Sequence, residues 1–127
     1  MLPKRYRLRH RSDVQRVRKQ GRRFRHPLAI LLVSRSPAIV NRMPAIAGNS
    51  DPCPSRFAFV ASRHVGSAVV RNRAKRLLRE AVRVQMSDVQ PGWDGVLIAR
   101  QATAAATLLE IEHAVISLLS RAKMRSS

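Results

Sequence analysis

The sequence has 127 residues and carries 25 Lys plus Arg against 7 Asp plus Glu, a formal net charge of +18. That length supports one modest core and no second full domain, and the charge points to nucleic acid, an anionic membrane surface or another polyanion as partner. Insertion into a membrane is excluded, because the longest purely apolar run, Leu28 to Val33, falls far short of the ~20 residues that cross a bilayer. The arginine-rich start lacks an apolar signal core, so the cytoplasm is the default compartment.

The charge is unevenly spread. Residues 1–25 hold 11 basic and 1 acidic residues and residues 56–83 hold 8 and 1, whereas the remainder holds 6 and 5. Two segments therefore make the polyanion-binding surface. Cys53 is alone, which removes an intramolecular disulfide and a cysteine-based zinc site.

Residues 1–11, MLPKRYRLRHR, have no core-forming period and read as a basic arm that orders on phosphate, leaving 12–124 as the single domain. Ser12 and Gln15 fit a capping box, and Val14 and Val17 share a face before Gly21, so a short first helix is expected here. Arg22 to Pro27 reads as a basic connection. Leu28 to Val33, uniformly apolar, suits a first strand buried on both faces. Residues 35–55 hold Pro37, Pro44, Pro52 and Pro54 and read as a long inserted loop.

Arg56 to Ser62 alternates Phe57, Phe59 and Ala61 against Ala58 and Val60, a second strand antiparallel to the first. Gln90 to Gly95 reads as a turn around Trp93, and Val96 to Ala99 as a third strand. Thr107 and Glu110 form a second capping box. From there Leu108, Ile111, Val115, Leu118, Leu119 and Ala122 recur at helical spacing to about residue 123. The expected fold is α+β, a small three- to four-stranded sheet packed with three helices in the order αββαβα.

The central stretch is residues 62–83, SRHVGSAVVRNRAKRLLREAVR, where a glycine-marked turn runs into a helix. At ~100° per residue, Val70, Ala74, Leu77, Leu78, Ala81 and Val84 gather on one side. Arg71, Asn72, Lys75, Arg76, Arg79 and Arg83 fall on the other, with Arg73 at the border. Glu80 is the single acid among them. Planar guanidinium forks on a rigid rod suit phosphate better than flexible lysines do.

This stretch resembles the RNR motif region of the protein subunit of bacterial ribonuclease P. The match takes in Ser62, Arg63, His64, Val65, Gly66, Ala68, Arg71, Asn72, Arg73, Lys75, Arg76, Leu77 and Arg79 in unbroken register. Weaker similarity runs from about Leu8 to Leu119. The resemblance implies a left-handed crossover between the second and third strands. It also implies two partners: the catalytic RNA of ribonuclease P and precursor tRNA, whose 5′ leader is removed to give the mature end. Contacts to the catalytic RNA would come from Arg63, His64, Arg71, Asn72, Arg73, Lys75, Arg76 and Arg79.

The same resemblance implies a cleft between the first helix and the sheet for the single-stranded leader. Family members commonly carry aromatic residues there. The matching positions in this sequence read as Val14, Arg18 and Leu31, leaving Phe57 and Phe59 as the nearby aromatics. Leader binding is therefore expected to rely on charge, or on arginine planes stacked against bases.

No catalytic constellation accompanies these features. His10, His26, His64 and His113 form no convincing acid–base pair, and Asp13, Asp51, Glu80, Asp88, Asp94, Glu110 and Glu112 are scattered without the paired spacing that holds magnesium. The chain alone is thus expected to be inactive, with no cofactor of its own and no required protein partner. The resemblance implies that catalysis and its magnesium ions belong to the RNA. The rival reading is a structural RNA-binding protein of ribosomal or nucleic-acid-coating type.

Overall fold

The structure, a computed structural model, describes residues 2–36 and 54–125. Most of the expected proline-rich loop, and Cys53 with it, lies outside the described residues. Four strands form one sheet in the order β1-β2-β4-β3, where β1 is Arg22–His26, β2 Ala29–Arg35, β3 Arg56–Val60 and β4 Trp93–Ala99. Three helices accompany it: α1 (Arg11–Gln20), α2 (Ala68–Gln85) and α3 (Leu108–Arg121).

The α+β expectation holds, with one strand added. Arg22–His26 pairs antiparallel with β2, Phe24 opposite Leu31 and Arg25 opposite Ile30. The turn between them closes on His26, whose Nδ1 accepts from the Leu28 N–H at 3.0 Å. β2 and β3 do run in opposite directions, but β4 lies between them, antiparallel to β2 and parallel to β3. Trp93 and Asp94, expected in a turn, instead open β4. The Trp93 ring lies beneath the Arg35 guanidinium, 4.5 Å from it.

Period-2 alternation divides the sheet's side chains between two layers. On one face, Ala29, Leu31, Val33, Phe57, Leu97 and Ala99 meet α2 and α3 through Leu78, Val82, Ile111, Val115, Leu118 and Leu119. Gly95 stands between Phe57 and Val33 in register, and its missing side chain makes room for the Phe57 ring, which a Cβ would approach to 2.9 Å. On the other face, Leu32, Ala58 and Val96 pack with Leu8 and with Val17 of α1.

Local differences from the sequence expectations have physical causes. The Ser12 capping box does not form, because α1 begins at Arg11 with His10 as an uncapped N-cap. The Thr107–Glu110 box does form. In α2 the buried stripe is Ala74, Leu78, Ala81 and Val82, turned so that Val84 is exposed. At the α3 start Leu108 is exposed, and the buried face begins at Ile111. His113 is exposed as well. Residues 2–8 are no free arm: Leu2 and Leu8 are buried, the Leu8 N–H donates to Phe57 O at 2.8 Å, and the Arg7 Nε–H donates to Leu2 O at 2.7 Å.

Candidate nucleic-acid interface

α2 is launched by a single 3-10 turn, Arg63–Val65, that ends at Gly66 with φ 145°, a conformation that favours glycine. Ser67 then caps the helix, its Oγ accepting from the Val70 N–H at 3.4 Å. This entry sets the rotation of the helix, and rotation decides where each basic side chain points.

Three rows result. Arg71, Lys75 and Arg79, four residues apart, are half-buried, and the Arg79 guanidinium lies 5.8 Å from the Phe59 ring centre of β3. Asn72 and Arg76 are exposed on the crest. Arg73 leans the other way, its Nε–H donating to Ala104 O at 3.0 Å. Asn72, Arg73 and Arg76 line a hollow of about 480 Å³ with Val69 and Leu77.

Arg63 and His64 are exposed on the preceding turn. They stand apart from the crest: the Gln101 Nε2–H donates to His64 O at 3.0 Å, and His64 shares a hollow of about 520 Å³ with Pro27 and Arg100. Arg83 is already engaged, since its guanidinium donates to Glu80. That hydrogen bond holds the Glu80 carboxyl below its ordinary value and raises Arg83.

The opposite face corrects part of the expected leader cleft. Leu31 and Phe57 are 0% and 1% exposed and belong to the core beneath α2 and α3, so neither can meet a base. Phe59 also packs against that core, although it reaches a groove of about 270 Å³ at the outer edge of β3 beside Arg7, Arg9, Val14, Val60 and Arg79. Alternation makes Leu32, one position further on, the β2 residue that faces α1.

Register across the strands defines the surface α1 leaves open. Leu32, Val96 and Ala58 form one cross-strand row, buried under Val17 and Leu8. Ser34, Asp94 and Arg56 form the next, where Asp94, fully buried, accepts from Arg16 at 2.6 Å and from Arg56 at 3.0 Å. This ion cluster seats α1 over these two rows. The remaining row, Arg25, Ile30, Ile98 and Val60, has no fully buried member. It is the floor of a cleft flanked by Val14, with Arg18 exposed one helical turn further along α1.

In the sequence, Ile30, Val60 and Ile98 carry no mark that separates them from core residues. The pairing register sets them in one row, where each is only partly buried. Among the described residues, no three His, Cys, Asp or Glu side chains stand close enough to hold a metal ion, and no helix is long and apolar enough to cross a membrane.

A mixed four-stranded sheet with helices on both faces, an arginine-lined helix on one side and a partly buried aliphatic row on the other, defines a small basic α+β protein. The chain belongs to the ribonuclease P protein family: the family model described as Ribonuclease P matches residues 2–123. It is 38% identical over 118 residues to the ribonuclease P protein component of Herpetosiphon aurantiacus, covering 93% of this chain and 85% of that one. With the corresponding protein of Symbiobacterium thermophilum it shares 40% identity over 121 residues, 95% and 94% of the two chains. Among solved structures it is similar to the RNase P protein of Staphylococcus aureus, with a TM-score of 0.75, 26% identity and coverage of 95% and 98%. The RNase P protein of Thermotoga maritima, solved with 1-(4-fluorophenyl)-2-thiourea, superposes with a TM-score of 0.70 at 25% identity, covering 91% and 98%.

Proposed function

We propose that this component of ribonuclease P holds the catalytic RNA along α2 and the single-stranded 5′ leader of precursor tRNA in the cleft beside α1. The observation that carries the reading is the placement of charge. α2 presents Asn72 and Arg76 on its crest, with Arg71, Lys75 and Arg79 on one flank and Arg73 on the other. Glu80, the acid on this helix, is turned to Arg83. A helix of that kind meets phosphates of a folded RNA at several points without deforming, which favours shape over sequence.

The two surfaces lie on opposite faces of the sheet, so both RNAs can be held at once. Arg63 and His64 extend the catalytic-RNA surface towards Arg100. The magnesium ions and the cleavage step are assigned to the RNA subunit, and the protein contributes positioning and charge neutralisation in the cytoplasm.

Reconstitution tests this. The protein added to its cognate catalytic RNA should restore 5′ maturation of precursor tRNA at low magnesium, while the protein alone should cut nothing. Specific cleavage by the highly purified chain, or failure to stimulate the RNA, would overturn the assignment. A nucleic-acid-coating protein would instead bind unrelated duplexes equally well.

A further inference from the structure

We propose that Arg25 binds a phosphate of the single-stranded leader at the β1 end of the cleft, so that the RNA track crosses the whole sheet from the β3 edge, where Arg7 and Arg9 line the groove beside Val14 and Val60, to Arg25. The proposal rests on the cleft reading above and gives that cleft a second charged end.

Strand β1, unforeseen in the sequence, sorts its basic residues by parity. Arg25 pairs with Ile30 and Arg23 with Leu32, which puts both on the face that carries α1. Arg22, Phe24 and His26 point to the other face, where the Arg22 guanidinium lies 5.3 Å from the Phe24 ring centre. The Arg25 backbone is anchored from that other face, its carbonyl accepting from Arg121 at 2.7 Å. Its side chain is exposed and makes no ion pair among the described residues.

Arg23, in the neighbouring row of the same strand, stands at the same end. On the same face of the sheet, Asp13 and Asp94 are turned to Arg16 and Arg56. Leading up to Arg25 run Val60, Ile98 and Ile30, three aliphatic side chains on three neighbouring strands, and from Val60 to Arg25 on the fourth strand the row spans about 14 Å at the usual strand spacing. An aliphatic floor with guanidinium forks at both ends suits unpaired nucleotides: bases lie on the apolar row and phosphates reach the forks.

The test compares Arg25→Ala with Arg22→Ala, a change of equal charge three residues away on the opposite face. Each is reconstituted with the catalytic RNA, and affinity is measured for precursor tRNA with a leader of about eight nucleotides and for the same tRNA without a leader, over a potassium chloride series. Arg25→Ala should reduce the leader's advantage by about threefold or more at low salt and lower its salt slope by about 0.7, one single-strand phosphate contact. Arg22→Ala should leave both unchanged.

Equal behaviour of the two variants overturns the proposal. Ile98→Asp and Val60→Asp, verified as folded by circular dichroism, separate it from the reading beneath it. If they abolish the leader's advantage while Arg25→Ala does not, the cleft stands and Arg25 is outside it. If they too leave it intact, the leader lies elsewhere and both readings fall.

Discussion

Arg16 and Asp94, 78 residues apart in sequence, meet at 2.6 Å. Asp94 is fully buried and also accepts from Arg56 through both oxygens, at 3.1 and 3.0 Å. One carboxylate thus ties α1, β3 and β4 together. Asp94→Asn removes the charge both arginines share, but these are 22% and 29% exposed and can turn to water. The loss should be about 1–3 kcal/mol, below the penalty for a stranded buried charge. Arg16→Ala should cost less, because Arg56 still holds Asp94. Urea unfolding at constant low salt measures both; an Asp94→Asn protein as stable as the parent would show that the cluster contributes nothing.

Gly95 is required by its neighbour. A Cβ there stands 2.9 Å from the Phe57 ring, and Phe57 is hemmed in by the core. Gly95→Ala should destabilise by about 1–3 kcal/mol through overpacking. Pairing it with Phe57→Leu should recover part of that loss, and a purely additive double mutant would argue against the steric account.

At the α3 N-terminus, the Glu110 carboxylate accepts from the Thr107 N–H at 2.9 Å while the Glu110 N–H donates to Thr107 Oγ1 at 3.2 Å. The hydrogen bonds from Thr107 hold the Glu110 carboxyl below its ordinary value of 4.5. The folded state therefore binds the proton more weakly than the unfolded chain. Its contribution is complete above the unfolded value and is lost as pH falls through the lower folded one. The stability difference between parent and Glu110→Gln should shrink on acidification below about pH 4. Thr107→Ala should cost about 1 kcal/mol at neutral pH.

Arg73 and Arg76 separate anchoring from binding. Each replaced by alanine should lower the magnitude of the salt slope for the catalytic RNA by about 0.9, one phosphate contact on a duplex. Only Arg73→Ala should also soften the fold, since its Nε–H bonds Ala104 O, an effect of about 0.5–1 kcal/mol. Thermal melts beside binding isotherms at several salt concentrations distinguish the two. An Arg76→Ala variant with unchanged affinity and slope would move the RNA surface off the crest of α2.

Helices α2 and α3 were legible in the sequence because their apolar period is long and α3 carries its own capping box, whereas α1 offers only Val14 and Val17 before Gly21. The strands beneath α2 and α3 were legible as apolar runs, but their faces were not. A run such as Leu28 to Val33 contains no alternation, so nothing local distinguishes Leu31, in the core beneath two helices, from Leu32, facing α1. Only pairing with β1 and β4 settles it. β1 itself was hidden because Arg22, Arg23 and Arg25 look like a solvated connection, whereas an edge strand tolerates charge on both faces. Leu2 and Leu8 were overlooked because two apolar residues among many arginines show no period. They are buried by long-range contacts with the sheet.

The sheet separates the α2 crest from the aliphatic row, and this makes the domain a spacer of fixed thickness. Layer spacing of about 10 Å plus half a helix diameter sets the two surfaces on the order of 15 Å apart. Anything bound to one surface is presented to the other at a set distance and orientation, turning a second encounter from a bimolecular search into a local one. The clamp at Asp94 then matters beyond stability: it fixes α1, which flanks the aliphatic row, against the sheet whose other face carries α2.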